Sequence, residues 1–132
     1  MTQEEKQLLL VDLCARLPYG VRVKSSRRKE PVTLSLDVMT DFHLGCSVKP
    51  YLRPLSSMTE EEFGFLQEHL PYDFTRVYSG KFDLIDDIHL GNSVSIDDMT
   101  FLLNCLNKWH LDYRGLIPMG LALEAPEGMY VN

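Results

Sequence analysis

Val32-Thr33-Leu34-Ser35-Leu36-Asp37-Val38 alternates apolar and polar residues without a break, and the same even-numbered parity resumes at Phe42, Leu44, Cys46 and Val48. Successive side chains leave a strand on opposite sides, so strict alternation marks a strand with one face in a core and one in water. The whole stretch is much longer than the usual strand of about five or six residues. It reads as two strands joined near Met39-Thr40-Asp41, the alternative being one long strand bent at Gly45. A sheet with one wet face favours antiparallel pairing.

Upstream, Thr2 and Glu5 have capping-box spacing, and Leu9, Leu10, Leu13, Cys14 and Leu17 follow at helical spacing on one broad face. Pro18 stops that helix and Gly20 turns the chain. Val21 and Val23, alternating with Arg22 and Lys24, predict a short half-buried strand, and 25–31 a polar connection. Downstream, Pro50 and Pro54 bracket an extended segment that should not be a central strand, since proline cannot donate to a ladder. Thr59 and Glu62 repeat the capping-box spacing and open a helix to about Leu70, with Phe63, Leu66 and Leu70 on its buried face. A hairpin turning at Ser79-Gly80 and a loop over 86–94 follow. Ser95 and Asp98 then cap a last helix to about His110, whose stripes Ile96, Met99, Leu103, Leu106 and Leu102, Cys105, Trp109 place it in the core. The expectation is an α+β fold: a small antiparallel sheet of about three to five strands with two to three helices on one face.

The chain has 132 residues, 45% hydrophobic and 24% charged, which supports one core and predicts a single globular domain over 1–132. No apolar stretch approaches the roughly 20 residues that span a bilayer, and the N-terminus lacks the pattern of a signal peptide, so no membrane partner and a cytoplasmic setting are expected. Three cysteines with no C-x-x-C pair argue against a disulfide framework, and Cys14 and Cys105 read as buried hydrophobes among leucines.

The segments 13–21 (Leu13-Cys14-Ala15-Arg16-Leu17-Pro18-Tyr19-Gly20-Val21), 49–62 (opening Lys49-Pro50-Tyr51-Leu52-Arg53-Pro54), 112–117 and 120–126 make up roughly a third of the chain. In them the chain resembles small proteins of gut Bacteroidetes and of the prophages and mobile elements in those genomes, a group with no established activity. The resemblance implies a lineage and a phage or mobile-element setting, and it assigns no catalytic residue.

Candidate chemistry is sparse. Asp86, Asp87 and His89, near Asp83, Asp97 and Asp98, could hold a hard cation such as Mg²⁺ for a small metal-assisted hydrolase. Asp97 and Asp98 are equally explained by the dipole of the helix they begin. His43 and Cys46 have the spacing of a zinc half-site, but on a strand they would point to opposite faces. No nucleophile elbow, P-loop or dinucleotide fingerprint occurs, and no cofactor is expected. Arg27, Arg28 and Lys29 could contact phosphates, although a net charge of −6 opposes nucleic acid as a partner. His110, Asp112, Tyr113 and Arg114 gather polar and aromatic groups after the last helix and are the candidate surface for another protein. The leading expectation is a non-enzymatic accessory or protein-interaction module.

Overall fold

The computed structural model describes residues 1–69 and 96–130. The chain runs α1 (Gln3–Arg16), β1 (Arg22–Ser25), β2 (Val32–Thr33), α2 (Leu36–His43), β3 (Val48–Leu52), α3 (Glu60–His69), α4 (Ile96–Lys108) and β4 (Leu123–Glu124). Single 3-10 turns occupy Leu17–Tyr19 and Leu55–Ser57. The fold class is α+β, with a four-stranded sheet in the order β2-β1-β3-β4. The first three strands pair antiparallel, and β4 joins β3 in parallel through Tyr51↔Leu123 and Leu52↔Glu124. The expected hairpin at Ser79-Gly80, the loop over 86–94, Leu70 on the α3 face and the Ser95 cap lie outside the described residues.

The stretch 32–48 is where the structure departs most from the alternation. Only Val32, Thr33 and, at its far end, Val48 are strand, and Met39-Thr40-Asp41 is the interior of a helix. An alternating row contains a row of period four, and that is what α2 uses. Leu34 and Val38 are buried and Phe42 packs against them, whereas Leu36 and Leu44, out of phase by half a turn, are 75% and 63% exposed. Local chemistry decides for the helix. Ser35 caps its start by accepting from the Val38 amide at 3.4 Å. Its end is a Schellman motif with Gly45 in the left-handed region (φ 90°). There the Cys46 amide donates to the Asp41 carbonyl at 3.0 Å and the Gly45 amide to Phe42 at 3.1 Å.

Pro50 also overturns an expectation, since it lies in β3, which is paired on both sides. The register explains the tolerance. Pro50 stands opposite Val23, and Ser26 bonds Ser47 three pairs along, which makes Val23–Pro50 a non-hydrogen-bonded pair. The donor that proline lacks therefore faces the β4 side, where pairing begins only at Tyr51. One pair further along, at Arg22 and Tyr51, the Tyr130 hydroxyl takes the place of a direct rung. It accepts from the Arg22 amide at 2.8 Å and donates to the Tyr51 carbonyl at 2.7 Å. Burial pushes the Tyr130 hydroxyl up to about 12, against the Arg22 amide bond and the nearby Arg16 charge, which both lower it.

The described chain forms two compact units. The first takes Met1–Leu52 and the stretch from Leu116 onward, and holds the sheet, α1 and α2. Its core gathers Leu9 and Leu13 of α1, Val38 of α2, Val21, Val23, Val48 and Leu52 of the sheet region, and Leu116 and Leu121 from the returning chain. Each fully buried aliphatic side chain here contributes on the order of 1.5–3 kcal/mol. The capping box of α1 is complete, with Thr2 N–H donating to Glu5 Oε1 at 2.8 Å and Glu5 N–H to Thr2 Oγ1 at 3.0 Å. Its buried stripe is Leu9, Asp12, Leu13 and Arg16, so the apolar face drawn from leucine spacing is rotated. Cys14, expected inside, is exposed. In its place Asp12 and Arg16, one helical turn apart, form an ion pair at 2.9 Å with both side chains 0% exposed.

The second unit lies within Arg53–Gly115. Leu55, Met58, Leu66, Leu102, Cys105, Leu106, Leu111 and Tyr113 make its core. Cys105 is buried as expected, and burial pushes its thiol up. The Thr59–Glu62 capping box also forms, at 2.9 and 3.2 Å. Arg53 grips Glu62 with two bonds of 2.9 and 2.8 Å and reaches the carbonyls of Ser57 and Trp109. This one guanidinium ties the entry of α3 to the exit of α4. That exit is a second Schellman motif, with His110 at φ 61° in the position where glycine is usual.

Candidate functional site

On the first unit a groove of about 410 Å³ lies between α1 and α2. Both helices are positioned by their caps. The Thr2–Glu5 box starts α1 where Lys6, Gln7 and Leu10 can line one wall. The Gly45 turn ends α2 so that Met39, Phe42, His43 and Cys46 line the other. The volume falls in the range of natural ligand pockets, and Leu10, Met39 and Phe42 are half-buried, as groove walls are. Lys6 brings a cationic side chain to the groove lining, and no carboxylate is among the lining residues.

His43 and Cys46 share this groove. They do not face apart, as a strand would set them, because a helix and its capping turn carry them. They bring two metal-binding side chains to one wall. Among the described residues no group of three or more His, Cys, Asp or Glu side chains is placed to hold a metal ion.

The basic connection after β1 is anchored from inside. Asp41 of α2, 1% exposed, accepts from Arg28 Nε at 2.8 Å and from Ser25 Oγ at 2.9 Å, and lies 3.6 Å from Arg27. The bond from Arg28 holds its carboxyl below the usual range; burial opposes this, and Ser25 adds to the lowering. Arg28 is thus committed to structure, while Arg27 remains 59% exposed and Lys29 is exposed.

The turn after α4 faces inward in the second unit. His110, Asp112 and Tyr113 are buried. The Tyr113 hydroxyl donates to Asn107 Oδ1 at 2.8 Å and accepts from Arg114 Nη1 at 2.9 Å, and the Arg114 guanidinium carbon lies 4.8 Å from the Tyr113 ring centroid. Of the four residues, Arg114 alone is more than marginally accessible. Asp97 and Asp98 occupy the first turn of α4, where the dipole favours them. Asp83, Asp86, Asp87 and His89 lie outside the described residues.

Sequence reasoning missed Asp41, the walls of the groove and the buried Asp12–Arg16 pair. The pair had a signal, an acid and a base four apart within an apolar helix. The groove had none, because its walls come from separate segments. No protein-family model matches the chain, and no curated protein and no solved structure matches it. No helix among the described residues is long and apolar enough to cross a membrane.

Proposed function

We propose that this chain is a non-enzymatic accessory module that binds another protein, of phage or mobile-element origin, and that it docks its partner in the α1–α2 groove. The observation that carries the reading is the composition of that groove: Leu10, Met39 and Phe42 as walls, with Lys6, Gln7 and His43 among its polar members. Methionine adapts its shape to a guest side chain, and an apolar floor with a polar edge is the anatomy of a recognition cleft. A cationic side chain in a lining with no carboxylate selects the occupant, a partner segment with two or three apolar side chains and a carboxylate to meet Lys6. Helix-in-groove recognition uses such anchors. The exposed Leu36 of α2, Leu44 just past its end and Val11 of α1 add apolar surface on the same unit.

Photo-crosslinking in cells with the wild type and with Leu10→Glu tests this. The supporting result is one protein captured by the wild type and lost from Leu10→Glu, whose affinity falls about tenfold in Lys6→Glu, the equivalent of 1.4 kcal/mol. An identical captured set for wild type and Leu10→Glu, with both folded by circular dichroism, would refute the groove as the docking surface.

A further inference from the structure

The side of the sheet opposite its core carries an arrangement independent of the groove. In β1, Val23 and Ser25 are buried and Lys24 is exposed, and in β3, Val48, Pro50 and Leu52 are buried while Lys49 and Tyr51 are half-buried. Alternation therefore puts Arg22, Lys24, Lys49 and Tyr51 together on the outer face. The register sets Lys24 directly opposite Lys49. Continued by one pair, it sets Arg22 beside Tyr51. Like charges directly opposite one another destabilise a sheet. Among the described residues none of Arg22, Lys24 and Lys49 is ion-paired; Arg22 is steadied by the Pro31 carbonyl at 2.9 Å and Thr33 Oγ1 at 3.2 Å. On a chain of net charge −6, this is a concentrated cationic field around one aromatic ring.

We propose that this outer sheet face binds single-stranded nucleic acid, with a backbone phosphate between Lys24 and Lys49 and a base stacked on Tyr51. The chemistry fits in two ways. Facing residues in a hydrogen-bonded pair have Cα atoms about 5.5 Å apart, so two ammonium groups can share one phosphate and relieve their own repulsion. Lys49 and Tyr51, two residues apart on one strand, are about 6.6 Å apart, which places the ring beside that phosphate. Cations flanking an aromatic ring on an open sheet are the pattern by which proteins hold unpaired strands without reading their sequence. A duplex, whose bases are already stacked, offers Tyr51 nothing.

The test is fluorescence anisotropy with a labelled oligothymidylate and its oligouridylate counterpart, using the full chain at 50 and 200 mM salt. With about three phosphates neutralised, the logarithm of affinity should fall against that of salt with a slope near −2, about 15-fold between the two conditions. Tyr51→Leu should lose about five- to hundredfold in affinity while Tyr51→Phe keeps it. Lys24→Glu is the decisive variant. It creates an opposite-charge pair with Lys49, so it should raise the urea midpoint while reducing binding at least tenfold, which separates lost binding from lost folding. The proposal is overturned by binding that survives Lys24→Glu, or by a duplex bound as well as the single strand. Equal affinity of wild type and Tyr51→Leu, matched by equal binding of polyphosphate, would also overturn it, as would no binding at 50 mM salt.

Discussion

Replacing Asp12 by Asn removes a carboxylate from beside Arg16 and keeps the size and shape of the side chain. Both side chains are 0% exposed and their contact is 2.9 Å, so the variant loses a charge–charge contact that water does not reach. Breaking a buried pair from one side costs about 3–5 kcal/mol. That is a large part of the roughly 5–15 kcal/mol that holds a domain folded. At about 3–5 °C per kcal/mol for a chain of this size, Tm should fall by about 10–20 °C. Replacing both residues, Asp12→Leu with Arg16→Met, removes both desolvated charges. It should bring stability to within about 1 kcal/mol of wild type, or raise it by up to about 4 kcal/mol. The assay is urea unfolding of wild type, Asp12→Asn and the double variant, followed by far-UV ellipticity and separately by Trp109 fluorescence. Trp109, the single tryptophan, belongs to the second unit and Asp12 to the first. Coincident transitions mean that the units unfold together, and a shift seen by ellipticity alone means that they do not. A cost below about 1 kcal/mol for Asp12→Asn would refute the reasoning, because that is the behaviour of a hydrated surface pair.

Glu62 makes the second unit acid-sensitive. Burial pushes its carboxyl up, but the bonds from Arg53 and Thr59 outweigh this and hold it below the usual value. Its contribution is therefore whole above about pH 4.3, the unfolded value, and is lost as pH falls through the lower folded value. Glu62→Gln should flatten the acid limb of a urea-midpoint profile, and an unchanged limb would show that other carboxylates govern it. Tyr130→Phe deletes the hydroxyl between Arg22 and Tyr51 and should cost about 1–3 kcal/mol by thermal unfolding. Because the folded value of this hydroxyl is raised, its stabilisation is whole below about pH 10 and declines as pH climbs towards about 12. A phenylalanine variant as stable as wild type would mean that water fills the rung. Asp41→Asn loosens Arg28 and Ser25, so trypsin should cut after Arg27, Arg28 or Lys29 faster than in wild type, and an equal rate would show that the connection is held by other contacts.

The helix starts at Thr2 and Thr59 were legible because a capping box is closed within four residues and owes nothing to the rest of the molecule. The burial of Cys105 was legible for a similar reason, since a helix with two apolar stripes has little polar surface left to expose. The region 32–48 was misread because apolar alternation and an i, i+4 helical row overlap at Leu34, Val38 and Phe42. What separated them was punctuation, Ser35 ahead and Gly45 behind, which outweighs the pattern between. Pro50 misled because its missing donor matters only on a side where the ladder needs it, and which side it faces is a matter of register. The α1–α2 groove, the Asp41 anchor and the facing Lys24–Lys49 pair depend on segments meeting in space, and local spacing carries no trace of them.

The return of the chain at Leu116 has a consequence for how the protein is made. The first unit is interrupted, since β3 ends at Leu52 and its neighbour β4 is encoded beyond the whole of Arg53–Gly115. At about 5–20 residues per second, a ribosome needs roughly 3 to 12 s to cross that interval. During this time the nascent polypeptide offers an open strand border at Tyr51 and Leu52, while the intervening unit is contiguous in sequence. The earlier-made module therefore cannot close its sheet until the later-made one has been synthesised in full.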